Sequence, residues 1–249
     1  MPGPAPLVLL HPFPLDAGAW SPVLDRLRAG GRWVWTPEFP GFGGAPPEDR
    51  PGIDGFADRV AAEVAARAPG GRATLCGTSM GGYVALSAAA RHAGSVLGLV
   101  LAGTRAEPDD PAARAGRAEA AALVRREGTA GFLDGLLPRL LAPGASDAAR
   151  RAARAMADRA PAEAVARALG ALGARADRVP DLPGIAVPVL VVSGAEDRVV
   201  PPAVMEALAA ALPDAELRTV AGAGHLAALE RPEVVAGLVL RFLAGRLDG

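Results

Sequence analysis

Ser79 lies in the motif Gly77-Thr78-Ser79-Met80-Gly81-Gly82, between a short β-like run ending at Cys76 and a helical stretch. A Gly-x-Ser-x-Gly motif between a strand and a helix forces a sharp turn that lifts the serine hydroxyl clear of the sheet. The free N–H groups at the start of the helix could also stabilise an oxyanion. Taken alone, the motif is also compatible with a glycine-rich turn in which serine only caps the helix. The chemistry that it predicts is nucleophilic attack by Ser79.

A serine hydroxyl needs a base within hydrogen-bond reach, and the sequence has three histidines: His11, His92 and His225. His225 follows the last predicted strand in a glycine-rich loop. His92 lies at the far end of the helix that begins at Ser79, about 20 Å away at the helical rise per residue. His11 ends the first predicted strand and precedes a different loop. The sequence therefore predicts His225 as the base.

The acid that orients the base should follow another strand edge. Asp197 does so, in Ser193-Gly194-Ala195-Glu196-Asp197-Arg198, and Glu196 is its neighbouring rival. The chain order Ser79, Asp197, His225 is that of one group of serine hydrolases. The alternative is that Asp197 and His225 are ordinary turn and loop residues. We predict Ser79, Asp197 and His225 as the catalytic residues.

The composition argues against several other kinds of chemistry. The chain has 249 residues and a formal net charge of −1, and contains no lysine, asparagine or glutamine. A Schiff-base lysine is thus absent, and one cysteine (Cys76) with three histidines cannot build a Cys/His zinc site. The near-neutral charge speaks against nucleic-acid binding. We expect neither a metal nor a cofactor.

Signals for export or membrane insertion are also missing. The first residues lack the positive region and the cleavage site of a signal peptide. No apolar run approaches the ~20 residues of a membrane helix. We therefore expect a cytoplasmic protein that does not associate with a membrane.

Short β-like runs alternate with longer helical stretches, a pattern typical of a parallel sheet with helices on both faces. The predicted helices are Gly55–Ala68, Ser79–Arg91, Pro201–Ala211 and Pro232–Leu247. The predicted strands are Leu7–Leu10, Trp33–Thr36, Ala73–Cys76, Val96–Ala102, Val187–Ser193 and Ala215–Val220.

Residues 104–183 contain no β-like run, only helical segments with predicted breaks at Pro111, Gly128, Pro138, Pro143 and Pro161. So long a segment in a compact domain predicts a helical lid rather than a loop. The remaining residues, 1–103 and 184–249, form the predicted core. We expect the lid to lie over the carboxyl ends of the strands, packed through an apolar stripe of Phe132, Leu133, Leu136, Leu137, Leu140 and Leu141.

Five segments together carry a resemblance to a known family. The chain resembles α/β-hydrolase-fold enzymes of the small esterase and 3-oxoadipate enol-lactonase-like kind, from about Leu7 to the C-terminus. The resemblance implies an α/β fold with a helical lid, and, because only six residues precede Leu7, a sheet of about six strands, all parallel. The segments are Leu10–Asp16 with Trp20, Pro40–Gly44, Leu75–Gly82, Gly194–Asp197 with Pro201, and Ala223–Leu226 followed by Glu230-Arg231-Pro232-Glu233.

The same resemblance implies an oxyanion hole formed by the backbone N–H groups of Phe13 and Met80. Relatives usually carry glycine where this chain has Pro12, and Pro14 biases Phe13 toward extended geometry. Pro12 and Pro14 thus indicate a stiffened oxyanion loop. As substrate-pocket residues we expect His11, Phe132, Leu136, Leu140, Val199 and Leu226.

The predicted activity is hydrolysis of a small carboxylic ester or lactone through an acyl-enzyme, by a monomer or homodimer. Three alternatives remain open. The first is an enol-lactonase or C–C bond hydrolase with the same triad. The second is a cofactor-free perhydrolase or haloperoxidase, in which peroxide replaces water. The third is a non-enzymatic binding module, since fold does not fix function.

Overall fold

The computed structural model describes residues 3–48 and 52–248. Its centre is a six-stranded sheet in the order β2-β1-β3-β4-β5-β6, and every neighbouring pair is parallel. The predicted α/β fold and all-parallel sheet are confirmed. The strands are β1 (Leu7–Leu10), β2 (Val34–Trp35), β3 (Ala73–Thr78), β4 (Val96–Ala102), β5 (Val189–Gly194) and β6 (Ala215–Val220).

The apolar strands are buried on both faces, as expected of a parallel sheet covered by helices. Side chains alternate along each strand, so Val8 and Leu10 of β1 join one core cluster while Leu7 and Leu9 join the other. Cys76 of β3 is buried in the second cluster, where a free thiol behaves as a small apolar group.

Helices cover the two faces unequally. The helices α2, α3 and α8 pack on the face of Val8, whereas α1 and α10 pack on the face of Leu7. The sequence analysis did not predict α1, although Val23 and Leu27 bury its inner face. The helices are α1 (Ser21–Arg28), α2 (Ile53–Arg67), α3 (Met80–Arg91), α4 (Pro111–Glu127), α5 (Ala130–Leu140), α6 (Asp147–Arg159), α7 (Ala162–Gly173), α8 (Pro202–Ala211), α9 (Ala227–Glu230) and α10 (Pro232–Arg246).

Prolines shorten two of the predicted strands, since proline has no N–H for a ladder hydrogen bond. The edge strand β2 ends at Trp35, two residues before Pro37. Strand β5 begins at Val189, directly after Pro188. At Pro138, in contrast, the proline does not end the element. The predicted break there is wrong, because Pro138 lies inside α5. It is in the last turn, where few backbone hydrogen bonds remain to be lost.

Residues 104–183 hold α4, α5, α6 and α7 and leave the sheet between the neighbouring strands β4 and β5. Asp109 on the outgoing chain and Arg175 on the returning chain form a buried ion pair of 2.7 Å. The guanidinium of Arg175 also donates to the carbonyls of Leu172 and Glu107, at 2.9 and 3.0 Å. The two chain crossings are thereby joined to each other at the edge of the sheet.

The carboxyl ends of β3, β5 and β6 lie at one edge of the parallel sheet. The loops that follow them carry Ser79, Asp197 and His225. In residues 3–48 and 52–248, no helix is long and apolar enough to cross a lipid bilayer.

Candidate active site

Ser79 occupies the turn between β3 and α3 with φ 53° and ψ −115°. It is the one non-glycine residue with a positive φ in the described ranges, a conformation that side chains rarely adopt and that often marks functional sites. A Cβ on Gly77 would collide with the carbonyl of Gly81, and one on Gly81 would collide with the carbonyl of Leu10. The glycines of the motif are therefore required by the close approach of the backbones.

Hydrogen bonds hold both peptide groups of Ser79. Its N–H donates to the carbonyl of Ala102 at 2.9 Å, and its carbonyl accepts from Thr104 Oγ1 at 3.0 Å. Thr104 also packs against Gly82, where a Cβ would have no room. The loop after β4 thus supports the strained turn, a role that the sequence analysis did not assign to Thr104.

Asp197 follows β5 and is 5% exposed. Its Oδ1 accepts the N–H groups of Val199 and Val200, at 2.8 and 2.9 Å. Its Oδ2 lies 2.8 Å from Nδ1 of His225. The rival Glu196 is exposed. Of the two acids, Asp197 is the one that the fold brings to the histidine.

His225 is 2% exposed and follows β6. Its Nδ1 faces Asp197, so the ring carries a proton there and presents a lone pair at Nε2. Among the described residues, no hydrogen-bond partner reaches this buried Nε2. Such a nitrogen, backed by a carboxylate, is suited to take a proton from a hydroxyl.

Gly103 makes room for the His225–Asp197 pair. It has φ 50°, and a Cβ there would lie 3.0 Å from His225 Nδ1 and 3.2 Å from Asp197 Oδ2. No role was predicted for Gly103 from the sequence. Its left-handed conformation depends on contacts between distant loops, so the local sequence offers no signal for it.

Phe13 lies in the loop after β1 and Met80 is the first residue of α3, at the same edge of the sheet, and both side chains are buried. Within the described ranges, neither backbone N–H donates a hydrogen bond. Phe13 packs against Phe42 and Phe132, with ring centroids 6.4 and 6.2 Å apart. The Phe13–Pro14 peptide bond is cis. Both N–H groups thus remain available to an acceptor.

The predicted pocket residues fall into two groups. Phe132, Leu136 and Val199 are partly buried and contact both the main core and the smaller cluster under α5 and α6. Leu140 and Leu226 are buried inside that smaller cluster. The first group keeps part of its surface exposed, and the second group is buried.

His11, the sixth predicted pocket residue, has no exposed surface. Its Nδ1 lies 3.2 Å from the carbonyl of Pro12, and its Nε2 accepts the N–H of Phe39 at 3.0 Å. Glu38 Oε2 is 3.2 Å from the same Nε2. Burial lowers the pKa of His11 to about 4, so the ring is neutral near pH 7. The structure places His11 beneath the loop rather than at its surface.

His92 lies outside this region, at the end of α3. Its Nε2 is 2.6 Å from Oδ1 of Asp58 in a partly exposed contact. The helix separates it from Ser79, as its sequence position predicts.

Glu230, in α9, is a buried carboxylate that the sequence analysis did not single out as a site residue. It is 5% exposed. Its Oε2 accepts the N–H of Ala142 at 2.8 Å, and its Oε1 accepts the N–H of Gly224 at 3.0 Å. Burial raises its pKa, while the backbone donors oppose this shift. The available signal was an acid directly after the apolar run Leu226–Leu229.

A cleft of about 820 Å³ opens between the loop of residues 38–47 and helices α6 and α7. Its wall carries charges of both signs, including Asp16, Glu38 and Arg159. Ser79 and His225 are not part of that wall. In the part of the chain that the structure describes, no group of three or more His, Cys, Asp or Glu side chains could hold a metal ion.

Several known proteins are similar to this chain in sequence and in fold. Residues 7–238 match the model of the alpha/beta hydrolase family. The chain is 35% identical to a pimeloyl-acyl-carrier protein methyl ester esterase of Aromatoleum aromaticum over an alignment of 257 positions. The alignment covers 96% of this chain and 98% of the relative.

Two solved structures are also similar to this chain in fold and sequence. A thermophilic esterase from Thermogutta terrifontis, solved with malate bound, superposes with a TM-score of 0.93 and 33% identity, over 98% of this chain and 90% of that chain. The enol-lactonase from Burkholderia xenovorans superposes with a TM-score of 0.85 and 29% identity, over 97% of this chain and 92% of that chain. By name, these proteins act on esters or on a lactone.

Proposed function

The chain belongs to the alpha/beta hydrolase family and is an esterase-type enzyme, and we propose that it cleaves carboxylic esters through an acyl-enzyme formed on Ser79. One observation carries this proposal. Asp197 orients the His225 ring, and the other ring nitrogen is buried with no hydrogen-bond partner among residues 3–48 and 52–248, at the sheet edge where Ser79 stands in a strained turn.

The reaction follows from these groups. His225 Nε2 takes the hydroxyl proton of Ser79 as the Oγ attacks the ester carbonyl. The tetrahedral intermediate collapses, and the alcohol leaves with the proton that His225 returns to it. Water then attacks the acyl-enzyme, with His225 again as the base, and releases the acid and free Ser79. Asp197 fixes the tautomer of the ring and stabilises the imidazolium.

We assign the oxyanion hole to the N–H groups of Phe13 and Met80. Two features support this assignment: neither N–H has an acceptor within the described ranges, and Met80 is the first residue of α3. The N-terminus of a helix favours negative charge. Each such donor is worth on the order of 10²–10³-fold in kcat.

We assign residues 104–183 to a helical lid over a substrate site bordered by Phe132, Leu136 and Val199. The partial exposure of these three apolar side chains supports the assignment. An apolar acyl chain fits such a wall. The printed activity of the relative in Aromatoleum aromaticum suggests a methyl ester as the scissile group.

The test is hydrolysis of p-nitrophenyl and methyl esters of increasing acyl length, together with labelling by a fluorophosphonate probe. We expect the probe to modify Ser79, as mapped on the tryptic peptide. The Ser79→Ala variant should lose labelling and on the order of 10⁶-fold in kcat. A folded wild-type protein that hydrolyses esters without modification of Ser79 would overturn the proposal.

The similarity to an enol-lactonase supports a second candidate with the same nucleophile. Turnover of 3-oxoadipate enol-lactone, without turnover of any open-chain ester, would replace the esterase by a lactonase. Bromination with acetate and peroxide, at rates rivalling ester hydrolysis, would instead indicate a perhydrolase.

A further inference from the structure

Glu230 is an ionisable group that is buried near the base but touches none of the reacting atoms. Both carboxylate oxygens accept backbone N–H groups. A buried carboxylate is costly unless its oxygens are hydrogen-bonded, so its presence in a largely apolar cluster calls for a reason. That reason lies in where the two donors belong.

The donors belong to two separate segments. Gly224 directly precedes His225, whereas Ala142 follows the end of α5. A second bond lies on the other side of the histidine, where the N–H of Leu226 donates to the carbonyl of Leu140 at 3.2 Å. His225 is therefore flanked on both sides by hydrogen bonds that connect its loop, directly or through Glu230, to residues 140–142.

The backbones of Gly224 and residues 141–142 approach each other too closely for any side chain at position 224. A Cβ on Gly224 would lie 2.5 Å from the nitrogen of Ala142 and 2.8 Å from the carbonyl carbon of Leu141. The two backbones are in direct contact, so residues 140–142 cannot withdraw without removing a support of the His225 loop. Helix α5, which ends at this junction, also carries the pocket residues Phe132 and Leu136.

We propose that Glu230 is a positioning residue that couples the docking of the lid to the placement of the base. Its carboxylate holds the His225 loop against residues 140–142, so that Nε2 is in register with Ser79 only when the end of α5 is docked. This inference rests on the proposed function, because it needs His225 to be the base.

The coupling depends on the carboxylate having two acceptor oxygens. A glutamine at this position keeps one acceptor, and its NH₂ group would face the other N–H. Protonation of Glu230 has the same consequence. The charged groups nearby are Arg231, which is adjacent in sequence, and Arg150, which donates to the carbonyls of Ala142 and Pro143. Both are arginines and keep their charge throughout the pH range of an assay.

The experiment compares Glu230→Gln with Glu233→Gln in the full chain. Glu233 lies three residues further on, is exposed and pairs with Arg26 on the surface, so it is the matched control. We expect Glu230→Gln to lower kcat for p-nitrophenyl butyrate by about 10²-fold, the cost of misplacing a catalytic group by about 1 Å. The rate of fluorophosphonate labelling should fall in parallel, and Glu233→Gln should retain wild-type values.

The pH profile adds a measurement that a merely structural role would not change. In wild type, protonation of both His225 and Glu230 removes activity, so log kcat should fall with a slope above one at its acid end. In Glu230→Gln the slope should be one. If the variant does not fold, the wild-type slope and the profile of Glu230→Asp carry the test.

Two results would overturn the coupling: Glu230→Gln within twofold of wild type in kcat and labelling, or a wild-type acid limb with a slope of one. Failure of the proposed function has a different signature. In that case the wild-type protein is not labelled at Ser79, and Ser79→Ala retains activity.

Discussion

Two buried histidines stand at the same edge of the sheet, His11 after β1 and His225 after β6. Each has a carboxylate near one ring nitrogen, Glu38 at 3.2 Å from His11 and Asp197 at 2.8 Å from His225. They differ in the hydrogen-bond partners of their ring nitrogens. Both nitrogens of His11 meet backbone groups, whereas Nε2 of His225 meets none in the described part of the chain.

The difference teaches that burial and an acidic neighbour do not make a base. His11 uses its whole hydrogen-bonding capacity to hold the peptide groups of Pro12 and Phe39. His225 uses one nitrogen to bind Asp197, and the other has no partner among the described residues and can accept the proton of the Ser79 hydroxyl. The same side chain thus serves the fold at one site and, in the proposed mechanism, the reaction at the other.

The largest effect should come from His225→Ala. We expect a loss on the order of 10⁶-fold in kcat, because the nucleophile loses its base. The melting temperature should fall as well, since the substitution leaves Oδ2 of the buried Asp197 without its hydrogen-bond partner. Ester hydrolysis and the melting temperature, measured on one preparation, check both points. Activity within tenfold of wild type would place the base elsewhere.

Asp197→Asn should have the next largest effect. The amide can present an N–H to Nδ1 and so favour the wrong tautomer, and we expect kcat to fall on the order of 10⁴-fold. The Glu196→Gln variant is the matched control, because Glu196 is exposed in the same loop. Equal losses in the two variants would contradict the assignment of Asp197.

His11→Gln should change the stability of the protein rather than its catalytic rate. The pKa of His11 is lowered to about 4, so the unfolded chain binds a proton near pH 6.5 that the folded chain does not. Wild-type stability should therefore be full above pH 6.5 and fall by about 3 kcal/mol as the pH drops to 4.

Urea unfolding at pH 7 and pH 5 measures this dependence. Burial raises the pKa of Glu38, which works in the opposite direction and reduces the net change. The glutamine variant should be less stable than wild type at pH 7, but its stability should depend less on acid. An unchanged pH dependence in His11→Gln would show that His11 is not held neutral.

The smallest effect should come from Arg159→Ala. Arg159 pairs with Asp16 at 2.6 Å, beside the loop that carries Phe13, but its side chain is 61% exposed. The Asp16 side chain is only 9% exposed, but solvent screens the exposed guanidinium, so the pair contributes about 1 kcal/mol. We expect a small loss of stability that disappears at high salt, with kcat changed by less than about threefold. A larger loss of kcat would show that this pair positions the oxyanion loop.

The sheet could be predicted from the sequence because most strands are short apolar runs, and β6 carries its own local signal by alternating apolar residues with Glu216 and Arg218. The Ser79 turn could be predicted for the same reason, since its glycines and its place between strand and helix are adjacent in the chain. Helix α1 escaped prediction because its buried face rests on only two residues, Val23 and Leu27. Pro138 misled because a proline in the last turn does not end a helix.

Gly103 and Glu230 could not be identified as supporting residues, because their roles exist only between segments that are far apart in sequence. Gly103 is required by a histidine more than a hundred residues away, and Glu230 by an N–H on residue 142. No local periodicity records such contacts. The pair Asp197–His225 was accessible only because both residues directly follow strands whose ends share an edge.

The ion pair between Asp109 and Arg175 has a consequence for how such enzymes diversify. It connects the chain that leaves β4 with the chain that returns to β5, and these two strands are neighbours in the sheet. A different set of helices could be grafted onto those two ends without disturbing the strand order. The new helices would have to supply the two groups that support the His225 loop: a backbone N–H for Glu230 in place of Ala142, and a carbonyl for the N–H of Leu226 in place of Leu140.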